Sequence, residues 1–279
     1  MTDDGFGDYK LVAELGRGSM GVVFLAEHGP TARRVAIKVL APELSRNAEV
    51  LRRFANESRA TSRIRHPGIV EIVEFQPGES GRAYIVMELL EGETLGDRLR
   101  RTGTVVLPEA CAIAAQVADA IAAAHDQGIV HRDLKPENVF LVGDPAVGAG
   151  TPAVKVLDFG IARLLETESA ARLTMRGTLL GTPEYMSPEQ AEGSDAVDHR
   201  ADIYALGCIL FEMLSGRPPY VFKGVQELLI AHRFRRIPAL SAQIAVLPDW
   251  LGDLLGRMVS KDPDDRPSSM RQIARALRG

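Results

Sequence analysis

The run Gly16-Arg17-Gly18-Ser19-Met20-Gly21-Val22-Val23 spaces three glycines so that backbone N–H groups can close on phosphate oxygens. A GxGxxG string can also open a dinucleotide-binding helix. Here Val22-Val23-Phe24-Leu25 continues as strand, which favours a hairpin lying over phosphates, with an ordinary glycine-rich turn as the plain alternative. Val35-Ala36-Ile37-Lys38 then sets a lysine in an apolar strand, where an ammonium requires an anionic partner. Glu57, on an Arg-rich helical stretch, can supply it. Alone, such a lysine would belong to a solvated face; coupled to the glycine run, it reaches toward phosphates. Further on, His131-Arg132-Asp133-Leu134-Lys135-Pro136-Glu137-Asn138 gathers a carboxylate, a cation and an amide on a loop, because Pro136 interrupts helix.

Positioning these groups takes two kinds of scaffold. From Tyr9 to about Val39 the alternation and β-branched content predict three antiparallel strands, turning at Gly29-Pro30. A helix is expected from Ala48 to Ile64, with Leu51, Phe54, Ala55 and Ser58 at helical spacing, closed by His66-Pro67-Gly68. Strands follow at Ile69 to Phe75 and Ala83 to Leu89. After Gly92 amphipathic helices take over, as from Pro108 to Gln127, where Ile113, Val117, Ala120, Ile121 and Ala124 mark a buried face. Two short strands, Val139 to Val142 and Val154 to Leu157, flank a Gly- and Pro-rich loop expected to be a mobile hairpin tip. Helices resume at Ala201 to Leu214, Val225 to Phe234, Trp250 to Val259 and Ser268 to Leu277. The expected organisation is a flexible leader over 1–8, a sheet-rich lobe over about 9–88 and a helical lobe over about 89–279.

With Asp158-Phe159-Gly160, Ser187-Pro188-Glu189 and Asp202-Ile203-Tyr204-Ala205-Leu206-Gly207, these segments stand in the order of the eukaryotic-type protein kinase family. The chain resembles that family from about Tyr9 to Leu277, and its bacterial serine/threonine branch in particular. The resemblance implies an α+β two-lobe kinase fold with ATP in the cleft and peptide lying on the helical lobe. Lys38 would bind the α and β phosphates and be held by Glu57, while Asn138 and Asp158 would coordinate Mg²⁺, with Mn²⁺ as a substitute. Asp133 would accept the proton of a substrate hydroxyl, and Lys135 would steady the transferring phosphoryl group. The loop from Leu15 to Val23 would cover the nucleotide. Met87 would be the gatekeeper, and backbone groups of Glu88 and Leu90 would pair with adenine. Val23 and Ala36 would lie above the base and Phe140 below it, where an aliphatic residue is the usual occupant.

Lys135 and Gly181-Thr182-Pro183-Glu184-Tyr185 match the Ser/Thr rather than the Tyr branch, and Glu189 is expected to pair with Arg266. Arg132, directly before Asp133, goes in this family with control by activation-segment phosphorylation. Thr178 sits where the activating phosphothreonine sits, with Thr174 as a second candidate and Arg132, Arg163 and Arg53 as phosphate partners. A transient homodimer would serve phosphorylation in trans. The implied activity is transfer of the ATP γ-phosphate to Ser/Thr hydroxyls of proteins. A pseudokinase scaffold is the alternative, disfavoured because every phosphate, metal and base position holds the expected residue. A small-molecule kinase of related fold is disfavoured by the long segment from Asp158 to Glu189.

Composition agrees with a globular enzyme: of 279 residues 46% are hydrophobic and 25% charged, which argues against a disordered or fibrous chain. A net charge of −4 argues against a general nucleic-acid binder. Cys111 and Cys208 lie in apolar, helix-like surroundings and read as free thiols in a reducing cytoplasm. No membrane segment is expected, because the richest apolar runs carry Gln116 and Asp119, or Glu212. The family members most resembled are receptor-type kinases that continue into a spanning helix, so a compact kinase and the catalytic part of a longer chain both stand. Of 33 basic residues only six are lysines, and Lys38 and Lys135 are two of them.

Overall fold

The computed structural model describes residues 6–18, 20–77, 82–143, 150–159, 183–194, 196–240 and 247–279. Strands β1 (Tyr9–Gly18), β2 (Gly21–His28) and β3 (Arg34–Leu40) form the expected antiparallel unit. With β4 (Ile72–Gln76) and β5 (Tyr84–Glu88) they make a five-stranded sheet ordered β1-β2-β3-β5-β4. Between β3 and the next long helix lies a short helix the sequence pattern did not reveal, α1 (Pro42–Ser45).

Helix α2 (Ala48–Thr61) begins where Asn47 accepts hydrogen bonds from the Glu49 and Val50 N–H groups, satisfying two donors that a helix start leaves open. Its buried stripe is Val50, Phe54, Ser58 and Thr61. Phe54 meets Phe75 of β4 edge-on at 5.7 Å, and Leu40 and Ile85 of the sheet complete that small core. On the sheet's other face Phe6 is buried among Ala26, Val35, Ile37, Tyr84 and Val86, its ring 5.3 Å from that of Tyr84. The Asp8 carbonyl accepts from the Gly29 N–H. Residues 6–8 therefore pack on the sheet lobe, earlier than the expected start at Tyr9; one phenylalanine in an acidic run has no periodicity to betray it.

The second lobe opens with β6 (Gly92–Thr94) and α3 (Leu95–Thr102), joined by a capping box in which Thr94 and Asp97 satisfy each other's N–H groups. Helix α4 (Leu107–His125) follows, then β7 (Val139–Val142) and β8 (Ala153–Val156), which pair with β6 in the order β6-β7-β8. Then come α5 (Pro188–Ala191), α6 (Arg200–Ser215), α7 (Val225–Phe234), α8 (Asp249–Met258) and α9 (Met270–Arg278). By length and apolarity α4 alone, among the described residues, passes as a membrane span despite Gln116 and Asp119, but most of it is buried inside the protein. It is instead the centre of this lobe: Ile113, Val117 and Ile121 join Ile203, Leu206 and Ile209 of α6 in one core. Gln116 and Asp119 are both partnered: Gln116 donates to the Pro152 carbonyl and accepts from the Val154 N–H, and Asp119 pairs with Arg278.

Candidate active site

The β1–β2 hairpin closes with Gly18 opposite Gly21. Gly21 has φ +153°, and a Cβ there would lie 1.9 Å from the Val39 carbonyl oxygen, so the tip of β2 admits only glycine. Leu15, Gly16, Arg17 and Gly18 are exposed, and Arg17 is held by Glu14 at 2.7 Å. Met20, Val22 and Val23 are half-buried; Ser19 lies outside the described residues. Strand register sets Val23 beside Lys38, and Ala36 beside Met87. A pocket opens behind them, lined by Lys38, Ser58, Thr61, Met87, Asp158 and Phe159 among others.

Lys38 departs from expectation. Its Nζ lies 2.7 Å from Asp158 Oδ1, across the two lobes, and among the described residues no ion pair joins it to Glu57. From α2, Ser58 and Thr61 line the cavity that holds Lys38. Burial pushes the Asp158 carboxyl up, but the charge and hydrogen bond of Lys38, with His131 and Lys135 nearby, hold it below the usual carboxylate value.

The loop after α4 is organised from below by a residue that the sequence reading assigned no role. Asp202, buried at the start of α6, accepts from His125 Nε2 at 2.7 Å, from the His131 N–H at 2.9 Å and from the Arg132 N–H at 2.8 Å. Burial raises the Asp202 carboxyl, and these donors bring it below its ordinary value. They also hold Arg132 at φ +64°, a left-handed conformation costing about 1–3 kcal/mol in a non-glycine residue. Asp158 is held likewise at φ +56°. Buried His131 links the two strained points. Its Nε2 donates to the Leu157 carbonyl at 2.9 Å, its Nδ1 accepts from the Asp133 N–H at 3.3 Å, and its ring packs 4.8 Å from that of Phe159. The sequence signals for Asp202 were its place at the head of the Asp202–Gly207 motif and a carboxylate opening an apolar helix, which asks for buried donors.

On this platform Asp133 Oδ2 takes a 2.8 Å bond from Lys135 Nζ, and Asn138 Nδ2 donates to the Asp133 carbonyl at 2.7 Å. The Asn138 amide nitrogen is thereby committed, which leaves its oxygen as the outward donor atom. Hard oxygen donors on Asp158 and Asn138 suit a small divalent cation. The described residues hold no cluster of three or more acidic, His or Cys side chains fit to bind a metal alone, so such an ion would need ligands from a polyphosphate as well.

At the junction of the lobes Glu88 and Leu90 are half-buried, and Phe140 lies half-buried on β7. The Glu88 N–H donates to the Glu71 carbonyl at 3.0 Å, so its own carbonyl is the group left for a base. Glu189 and Arg266 pair as expected, both guanidinium nitrogens bonding both carboxylate oxygens at 2.8 Å. Gln190 reaches back to the Arg132 carbonyl at 2.8 Å, tying the segment after the Pro183–Tyr185 turn to the loop. Thr174, Thr178, Arg163, Gly160, Gly181 and Thr182 lie outside the described residues.

Known proteins share this arrangement. Serine/threonine-protein kinase Pkn1 of Myxococcus xanthus is 42% identical over 97% of this chain, which covers 38% of that protein. PknH of Mycobacterium tuberculosis is 38% identical over 97% of this chain, which covers 41% of it. The chain thus spans well under half the length of these relatives. The crystal structure of the Mycobacterium tuberculosis PknI kinase domain superposes with a TM-score of 0.73 at 30% identity, covering 98% of this chain and 96% of that one. The protein kinase domain model matches residues 9–277, and with sheet lobe, cleft and loop constellation in place the chain belongs to the protein kinase family.

Proposed function

We propose that the chain is a protein serine/threonine kinase that transfers the γ-phosphate of ATP to Ser/Thr hydroxyls of protein substrates. The observation that carries this reading is Asp133, whose carboxylate is anchored by Lys135 at 2.8 Å at the mouth of the cleft. One Asp133 oxygen, so fixed, accepts the substrate hydroxyl proton as the oxygen attacks phosphorus. Lys135 compensates charge on the transferring phosphoryl group, and Lys38, exchanging its Asp158 contact, holds the α and β phosphates. Asp158 and Asn138 would hold Mg²⁺, or Mn²⁺ in its place, and such an ion would supply neutralisation of the phosphate oxygens. The adenine lies between Val23 and Ala36 above and Phe140 below, its edge on the backbone of Glu88 and Leu90. Buried free Cys111 and Cys208 accord with a reducing, cytoplasmic setting. Phosphorylation of Thr178 or Thr174, in trans within a transient homodimer, sets the activity through Arg132.

The test is phosphate transfer from labelled ATP with Mg²⁺ to a generic basic protein, with Asp133→Asn as the control. Transfer that depends on Asp133 supports the reading; transfer independent of Asp133, or none, rejects it.

A further inference from the structure

Strand β8 carries a lysine that the reaction above does not use. Lys155 stands opposite Phe140, between Val154 and Val156, whose side chains are buried in the helical lobe's core. Alternation along the strand therefore sends Lys155 the other way, toward the sheet lobe. Its Nζ reaches Glu88 Oε1 at 2.5 Å and the Ile69 carbonyl at 3.4 Å. The same Glu88 oxygen accepts the Glu71 N–H at 2.7 Å, while the Glu88 N–H donates to the Glu71 carbonyl. Both side chains of the pair are largely covered, 21% and 22% exposed, so the attraction is less screened than at an open surface. Backbone bonds flank it: Val70 N–H to the Val156 carbonyl at 3.1 Å, and Val156 N–H to the Gly68 carbonyl at 2.8 Å. One ammonium thus ties together the end of β5, residues 69–71, and the strand that runs into Asp158.

We propose that Lys155 is a positioning residue for the nucleotide: its ion pair with Glu88 sets where the segment between the lobes presents its backbone to adenine. It does so without touching the reacting atoms. The proposal rests on the reading that Glu88 and Leu90 pair with adenine. Without Lys155 the Glu88 carboxylate keeps a single N–H donor and loses its anchor in the helical lobe, so the carbonyl of the same residue samples more positions and base pairing weakens. A compact ammonium suits this place, because it serves one carboxylate oxygen and one carbonyl from a narrow strand face.

Initial rates with ATP varied, at saturating protein substrate, test the proposal on the wild type, Lys155→Met, Lys155→Arg, Glu88→Gln and the Glu88→Gln/Lys155→Met double variant. Lys155→Met is expected to raise KM for ATP about fivefold with kcat within about twofold, and Lys155→Arg to recover much of the loss. The double variant should bind ATP no worse than the worse single variant, because the pair is lost only once. Amide exchange of the nucleotide-free protein should quicken at Glu71 and Glu88 in Lys155→Met, which reads the tie independently of adenine. Unchanged KM, additive losses in the double variant, or a change in kcat at constant KM would overturn the proposal. Adenosine competition against ATP judges the adenine reading separately. If adenosine fails to compete while exchange quickens, the tie exists and the adenine reading is what has failed.

Discussion

Lys38 Nζ and Asp158 Oδ1 lie 2.7 Å apart, an ion pair that joins the sheet lobe to the helical lobe at the cleft. The lysine comes from the middle of β3 and the aspartate from just beyond β8. Each is the other's counter-charge where a nucleotide's phosphates and their metal would otherwise supply it. The pair keeps two charged groups soluble in a half-buried site, and its partners are the ones proposed for phosphoryl transfer.

Lys38→Arg is expected to lower phosphate transfer by about a hundredfold although the charge is kept, because loss of one positioned donor to developing charge costs this much. The longer, planar guanidinium cannot occupy the same point against Asp158 and the phosphates. Steady-state rates at saturating ATP measure it, and near-normal turnover in the variant would contradict the role.

Arg266 and Glu189 hold the segment after the cleft to the base of the helical lobe, and the arginine side chain is fully buried. Burial raises the Glu189 carboxyl, and the Arg266 hydrogen bonds and charge pull it below its usual value. Arg266→Met should destabilise the protein by about 3–5 kcal/mol, the range for stripping one partner from a buried pair. Glu189→Gln, which retains an acceptor, should cost less. Urea unfolding decides this, and a loss below about 1 kcal/mol for Arg266→Met would show that the bridge is dispensable.

Lys261 is a half-buried cation between two phenols, donating to Tyr204 at 3.1 Å and Tyr220 at 3.2 Å. Burial, with the Arg266 charge adding to it, brings its ammonium down to about 8. Between pH 8 and 10.5 the unfolded chain still binds a proton that the folded one has shed, so this group's contribution to stability rises with pH through that window. Cys208, pushed up to about 12 by burial, acts in the opposite sense above pH 9, so the informative quantity is the stability of the wild type minus that of Lys261→Met. That difference should grow by on the order of 1 kcal/mol from pH 8 to pH 10 in denaturant titrations. A flat difference would mean that the lysine is not desolvated.

Thr178→Ala should lower specific activity severalfold once the wild type has been allowed to phosphorylate itself, because a phosphate near Arg132 would order the substrate-binding segment. Mass spectrometry of the two proteins beside their rates provides the check. Equal rates in demonstrably unphosphorylated enzyme would leave Thr178 without a regulatory role.

Local pattern accounts for the elements that were foreseen. Alternation named the first three strands and β-branched residues the next two, while the buried face from Ile113 to Ala124 is the one α4 uses. What escaped were short pieces, α1, β6, α3 and α5. Phe6 escaped as well: its burial depends on a sheet face assembled from β2, β3 and β5.

The sequence by itself determined the order of the chemical groups and the family to which the chain belongs. It also marked lysine as scarce, and four of the six lysines, Lys38, Lys135, Lys155 and Lys261, prove to have side-chain partners within the fold. Only the tertiary structure decided which partners. Lys38 faces Asp158, which the chain brings up just beyond β8, rather than Glu57 of α2. Asp202 commands the loop around Asp133 because α4 and α6 pack so that His125 and two backbone N–H groups converge on it. Backbone period is a local property, written in neighbours a few residues apart. The pairing of charges is set by the packing of segments tens of residues apart.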